Sequence, residues 1–414
     1  MHLPKLPPWA RGVAALLLCL FLIHFWSSGV KNAVAFGAFL AVVIMHLNAK
    51  GKPERRIPRV SLHAPVAAYL VVALVSSLLS ADRSGAMTDW LKLAELGAGY
   101  LALVTLLGRN GRPYGALRAL GAAFALYLAL DFGRSILALG DAWTLSGATA
   151  DLPGRWNESL IGYITHAAGV TVTFMFIIAG LSFGLRRWWE RLAGAVAVLI
   201  SLFVIFVSWQ ARSAQLGTAV GIVLLAMLLA RRKAVGVCIG VAALAVMVGG
   251  IVATGGGRWV SDSVFANDRF DVWQKTAVEI REEPVIGHGV GPKVFSGWYE
   301  SIPYDERVVK TPGHPHNMLV QVAYETGALG LAAWVWLWVA LAMSLWRSWR
   351  GARGGERAAL AGLMVGLIAF WIYGQFSAAL SLRPALLFWC LLGIAGAFEA
   401  ARRVSHQEGA PARG

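Results

Sequence analysis

Charge is scarce in this 414-residue chain. Asp, Glu, Lys and Arg together make up 14% of it, against roughly 25% in soluble domains. With 57% apolar residues and a mean hydropathy of +0.62, that scarcity excludes an ordinary water-soluble globule. Cysteine is scarcer still. Cys19, Cys238 and Cys390 each lie inside an apolar run, so neither a disulfide framework nor a Cys-based metal site follows from them. Internal repeats are missing, and the polar C-terminal tail is the lone low-complexity stretch. The glycines of 287, 289 and 291 do not follow a strand in a βαβ unit, so a nucleotide-binding loop is excluded as well.

What the chain has in abundance is apolar sequence in runs of about 20 residues, the length a helix needs to cross a bilayer. Twelve runs qualify: 9–28, 31–48, 62–80, 88–107, 114–138, 161–184, 190–209, 212–230, 234–254, 316–345, 356–379 and 384–401. The expected fold class is an all-α polytopic membrane protein of about 12 transmembrane helices. Residues 1–254 hold the first nine spans, 255–315 form one large loop, 316–403 hold the last three, and 404–414 are a tail. The N-terminal run has signal-like polarity, but a second span follows closely and no convincing cleavage site appears, so it reads as an uncleaved first helix.

Orientation follows from the positive charges. The segments around 49–60, 109–112, 186–191, 231–233, 347–357 and 402–403 are basic and fall at alternate connections. With the tails they place 23 Lys and Arg against 5 acids on one side, leaving 14 basic and 17 acidic residues elsewhere. That side is expected to be cytoplasmic and to hold both termini. The net charge of +15 is thereby explained as topology, and no nucleic-acid role is needed. Two outward segments exceed simple turns, 139–160 with Arg155, and 255–315. In the second, Asn267 or Asp268 can cap a helix with Phe270, Trp273, Ala277 and Ile280 at helical spacing, ended by Pro284.

Basic residues on the outward side run against the positive-inside rule and therefore invite explanation. Arg212, in the turn before the eighth span, is either an interfacial snorkelling arginine or a phosphate ligand beside a helix N-terminus. Arg269, between Asp268 and Asp271, reads on its own as an exposed intrahelical ion pair. Arg155, Lys310 and Arg383 are further outward cations. His314 and His316 bracket Pro315 where the tenth span begins, which places His316 at or near the first helical position. A helix N-terminus disfavours imidazolium and keeps a neutral base available, the state a general base needs. The alternatives are a loop histidine without a role and a metal pair, although no acid within a few residues supplies further ligands. Glu325, with Gln321 one turn before it, falls opposite His316 on the helical wheel and is expected to buttress a neighbouring helix or an outer arginine.

Taken together, these residues resemble a known group. Arg212-Ser213-X-X-Leu216, Asp268-Arg269-X-X-X-Trp273, Pro284 with Gly287-X-Gly289, His316-Asn317-X-Leu319 and Glu325-X-Gly327 are similar in order and placement to the O-antigen ligase and polymerase superfamily. The resemblance covers the sixth to twelfth spans and is only one of hydropathy before them. It implies a glycosyltransferase of the bacterial inner membrane, facing the periplasm, that uses an undecaprenyl-diphosphate-linked glycan as donor. Within the group the chain looks most like the ligase, which moves O-antigen onto lipid A–core. On that resemblance Arg212 and Arg269 hold the donor diphosphate and His316 activates the acceptor hydroxyl. His314, Asn317, Gln321, Glu325, Arg155, Lys310 and Trp273 would support them, and no cofactor or metal is expected. Fixed guanidinium groups can stabilise a diphosphate leaving group without a metal, and one base with a single displacement implies inversion. A polymerase of O-antigen or exopolysaccharide stays open as an alternative. A protein oligosaccharyltransferase usually carries more outward mass after the last spans. A twelve-span transporter would instead concentrate unusual polar residues at the midplane.

Overall fold

The computed structural model describes residues 57–109, 113–139, 158–159, 162–208, 211–230, part of 234–245, 267–307, 313–380 and 382–408. The predicted spans 9–28 and 31–48, most of the ninth, Arg155, Lys310 and the end of the tail lie outside the described residues. The architecture is helical, apart from a two-residue antiparallel pairing of β1 (Glu158–Ser159) with β2 (Gly162–Tyr163). In chain order the helices are α1 (His63–Leu79), α2 (Arg83–Arg109), α3 (Pro113–Leu139), α4 (Ile164–Gly184), α5 (Trp188–Phe203), α6 (Arg212–Leu229), α7 (Asn267–Glu279), α8 (Pro292–Ser301), α9 (Met318–Gly351), α10 (Gly354–Gly374) and α11 (Leu382–Glu408). Among the described residues eight of them are long and apolar enough to cross a membrane, so the chain is a multi-pass membrane protein. The expected total of twelve reaches beyond the described residues.

Burial follows how each helix distributes its apolar residues. α4 is apolar all round and almost wholly buried between Ala167 and Ile178, the pattern of a helix at the centre of a bundle. α5 buries only Gly194, Ala197 and Ser201 and leaves Leu192, Val196 and Leu199 exposed, as expected of a helix facing lipid on one side. Between lipid-soluble helices the hydrophobic effect supplies little, so close approach must come from small residues. α4 and α10 pack in this way. A Cβ on Gly180 would lie 2.4 Å from the Ala358 carbonyl oxygen, and one on Gly362 would lie 2.4 Å from that of Phe176.

One end of the bundle gathers the basic connections. There α4 meets the start of α10 at Gly184 and Gly355, Arg402 donates to the carbonyl of Ser348 (2.6 Å), and Arg357 lies over the Trp349 ring. Glu399 of α11 is the polar anchor of that end. It accepts from the Ser61 amide (3.0 Å), the Ser61 hydroxyl (2.7 Å), the Ser344 hydroxyl (2.9 Å) and Arg403 (2.5 Å).

The opposite end carries the described part of the large loop. α7 runs as expected, but its inward stripe is rotated from the one expected. Val272 and Thr276 are buried, Trp273 and Ile280 are half-buried, and Phe270 and Ala277 are exposed. The reason is the partner: Val272 joins Phe295, Tyr299 and Tyr324 in a small apolar cluster that lies beside only one flank of the helix. α8, which spacing alone left as irregular loop, opens with Pro292 in its first turn, where a missing N–H is tolerated.

The tenth span is not one continuous helix. α9 is interrupted at Gly327, whose φ of 61° and ψ of −163° suit glycine alone. The segment 284–289 fills the interruption. Ala328 and Leu329 donate to the carbonyls of Pro284 (2.9 Å) and Val285 (3.2 Å), while His288 and Gly289 donate to those of Tyr324 (2.9 Å) and Glu325 (3.1 Å). Two helical hydrogen bonds are thus opened and four intersegment ones take their place. A side chain at 287 would collide with the Gly327 amide at 2.5 Å, which accounts for a glycine there.

Candidate functional site

The candidate site is built on the N-terminal part of the interrupted helix, Met318–Thr326, and on the segment leading into it. His316 does not occupy the first helical position that Pro315 suggested. Asn317 is the N-cap, its Oδ1 accepting from Leu319 N (2.9 Å) and Val320 N (3.1 Å), so the helix starts at Met318, two residues after His316. Asparagine caps strongly because its side chain satisfies amides that otherwise lack partners. His316 is left just before the cap with φ of 55°. Left-handed backbone is uncommon outside glycine and concentrates at functional positions. Its ring lies 4.4 Å from that of His314, centroid to centroid, and both side chains are half-exposed.

Three hydrogen bonds hold this segment against the rest of the bundle. Trp273 of α7 donates through Nε1 to the Pro315 carbonyl (2.7 Å), beside His316. Asn317 donates through Nδ2 to the Gln375 carbonyl (3.0 Å) at the end of α10. Arg269 of α7 donates through Nη1 to the neighbouring Phe376 carbonyl (2.6 Å), and the Phe376 ring lies 6.2 Å from Trp273. Two turns of α7 therefore bind the histidine segment and the α10 terminus into one unit.

The electrostatics are cationic. Partial burial lowers the Arg269 pKa from its ordinary value, and the charge of Arg212 lowers it further, against the pull of Tyr373. Arg212, the first residue of α6, thus lies near enough to Arg269 for their charges to oppose each other. Both keep part of their surface open, Arg269 the more so. Two guanidinium groups held at such range favour a ligand with at least two negative charges.

The remaining predicted residues divide. Trp273 and Asn317 position the segment, as described. Gln321 and Glu325 turn to the other side of the half-helix: Gln321 Nε2 donates to Glu325 Oε1 (2.9 Å), which also accepts from Gly291 N (3.3 Å). The Ser76 hydroxyl caps the Glu325 carbonyl at 2.5 Å. Glu325 buttresses the 287–291 loop, and the contacts seen for its carboxylate involve no arginine. Arg155 and Lys310 lie outside the described residues, as does the side chain of Arg383. Among the described residues no group of three or more His, Cys, Asp or Glu is arranged to hold a metal. The sequence reading missed the α10 terminus. Tyr373, fully buried and hydrogen-bonded to Ser377, and the carbonyls of Gln375 and Phe376 all serve the site. Their signal was a polar interruption, Gln375 to Ser377, inside an apolar run.

A multi-spanning helical protein with two arginines and a pair of histidines at one bundle end is the class these observations define. Residues 202–335 match the family described as O-antigen ligase. That stretch contains Arg212, Arg269, Trp273, His314, His316, Asn317, Gln321 and Glu325. The chain is also similar, at 31% identity over 77 residues, to a protein of Rickettsia conorii that carries the name of a polysaccharide ligase. This match covers 18% of the chain and 19% of the Rickettsia protein.

Proposed function

We propose that the protein is an inverting, metal-independent glycosyltransferase of the bacterial inner membrane that moves O-antigen from undecaprenyl diphosphate to lipid A–core at the periplasmic face. The observation that supports this reading is that α7 ties the segment of the strained, half-exposed His316 to the end of α10 through Trp273 and Arg269, with the like charge of Arg212 acting on Arg269. In this reading Arg212 and Arg269 grip the donor diphosphate. His316 accepts the proton of the acceptor hydroxyl as its oxygen bonds to the anomeric carbon. The bond from that carbon to the phosphate oxygen breaks on the opposite side, and the diphosphate leaves with the electron pair. Charge grows on the leaving group as the bond breaks, so fixed guanidinium groups favour the transition state over the ground state. The excess of Lys and Arg at the other end of the bundle supports a periplasmic site.

The test is reconstitution. Purified protein is mixed with undecaprenyl-diphosphate glycan and offered either lipid A–core or free glycan as acceptor. Glycan appearing on lipid A–core is the expected result. Glycan extending glycan instead would make the protein a polymerase, and no transfer to either acceptor would overturn the enzyme reading.

A further inference from the structure

The outward-facing side of α9 identifies its lipid contact. Leu329, Val335, Trp336, Val339, Met343 and Trp346 are exposed at helical spacing and form one apolar stripe. From Leu329 to Trp346 the helix rises about 26 Å at about 1.5 Å per residue, close to the roughly 30 Å of a hydrocarbon core. Arg347 and Arg350 follow at the inner end. Leu329 therefore lies near the boundary of the hydrocarbon on the side of the candidate site.

The stripe does not stop at α9. Val285, 54% exposed, is hydrogen-bonded through its carbonyl to the amide of Leu329, itself 51% exposed. Val278, next to last in α7, is 56% exposed and precedes Val285 by seven residues, with the charged side chains of Arg281, Glu282 and Glu283 exposed between them, as at a headgroup boundary. Exposed apolar side chains at this depth, continuous with a lipid-facing stripe, are costly in water and favourable among acyl chains. We propose that the strip Val278–Val285–Leu329 is a membrane-docking surface: the segment 284–289 enters the leaflet nearer the site, and α7 lies in its interface. Non-helical backbone can enter a leaflet only if its polar groups are satisfied by protein. At the Gly327 interruption the carbonyls of Pro284 and Val285 and the amides of His288 and Gly289 are satisfied in this way, and the Gly287 amide donates to the Glu283 carbonyl (3.0 Å). Resting on the functional reading above, one consequence is added: Arg269 then sits at headgroup depth, where a lipid-linked diphosphate meets it without leaving the leaflet.

Site-directed spin labelling tests the docking without reference to activity. Val278→Cys and Val285→Cys are made in a full-length chain whose Cys19, Cys238 and Cys390 are replaced by Ser, and reconstituted in phosphatidylethanolamine–phosphatidylglycerol nanodiscs. Val339→Cys serves as the lipid-facing reference and Glu300→Cys as the aqueous one. Labels at 278 and 285 are expected to collide several-fold more with dissolved oxygen than with a water-soluble nickel chelate, as at 339. A ratio matching that at 300 would overturn the proposal. Val285→Ser, which removes the apolar contact but not the backbone bonds, is expected to leave the ratio at 278 unchanged. A switch to the aqueous ratio there would show that α7 is not itself embedded. Loss of glycan transfer in any of these variants bears on the functional reading and leaves the accessibility result standing.

Discussion

The two ends of the helical bundle handle buried charge in opposite ways. At the basic end, Glu399 is saturated: a backbone amide, two hydroxyls and a guanidinium occupy its carboxylate. These four donors meet at one carboxylate, which ties the start of α1 to α9 and α11. At the other end Arg269 is anchored to a single carbonyl, remains exposed, and is set against the like charge of Arg212. The first arrangement lowers the free energy of the folded chain. The second raises it unless an anion arrives. Like charges held together are what a binding site for an anion would need and a structural polar cluster avoids.

The contrast can be broken by substitution. His316→Ala should lower glycan transfer by about 10²–10⁴-fold, the usual share of general-base catalysis, with unchanged membrane abundance and melting behaviour. Undiminished glycan-capped lipopolysaccharide in cells carrying it would sink the base assignment. Arg212→Lys and Arg269→Lys should each cost roughly 10²-fold, because an ammonium keeps the charge but not the bidentate fork. Full rescue by lysine would reduce the pair to generic electrostatics. At the other end, Glu399→Ala should destabilise the protein by about 1–3 kcal/mol by stranding buried donors, read as a lower melting temperature in detergent. Transfer per folded molecule should hold; a selective loss of activity would show that the two ends are not separate in function. The smallest effect expected is none at all: excess chelator should leave the rate unaltered, and inhibition would favour the reading of His314 and His316 as metal ligands.

Much of this was legible beforehand, and the exceptions have physical causes. Apolar runs located the described spans to within a few residues, because crossing a bilayer demands uninterrupted hydrophobic length. Arg212 and Arg269 stood out since outward cations oppose the charge bias. The interruption at Gly327 was hidden, because a lone glycine in an apolar run reads as a helix and only a distant segment reveals the break. The register of His316 was misjudged by two residues: Pro315 and Asn317 both mark a helix start, and the side-chain cap prevailed. The polar interruption at Gln375 to Ser377 marked the end of α10, but the contacts of Gln375 and Phe376 could not be read from it, since each contributes a carbonyl, which every residue has. Glu325 was read as a buttress for a neighbouring helix or an outer arginine, but beside Gln321 its partner is the Gly291 amide of a loop from across the fold.

The exchange of hydrogen bonds at Gly327 has a bearing on how the site comes into being. An α9 that lacked residues 284–289 would have either to close into an unbroken rod, displacing His316 from its place, or to leave the carbonyls of Tyr324 and Glu325 and the amides of Ala328 and Leu329 without these partners, at several kcal/mol apiece where they are shut off from water. Neither half-state is stable, so loop insertion and helix interruption occur as a single cooperative event. A lesion thirty residues upstream of the histidine, such as Gly287→Val, would therefore act as an on–off defect in assembling the site rather than a graded one, leaving two populations, competent and inert, where an active-site substitution leaves one.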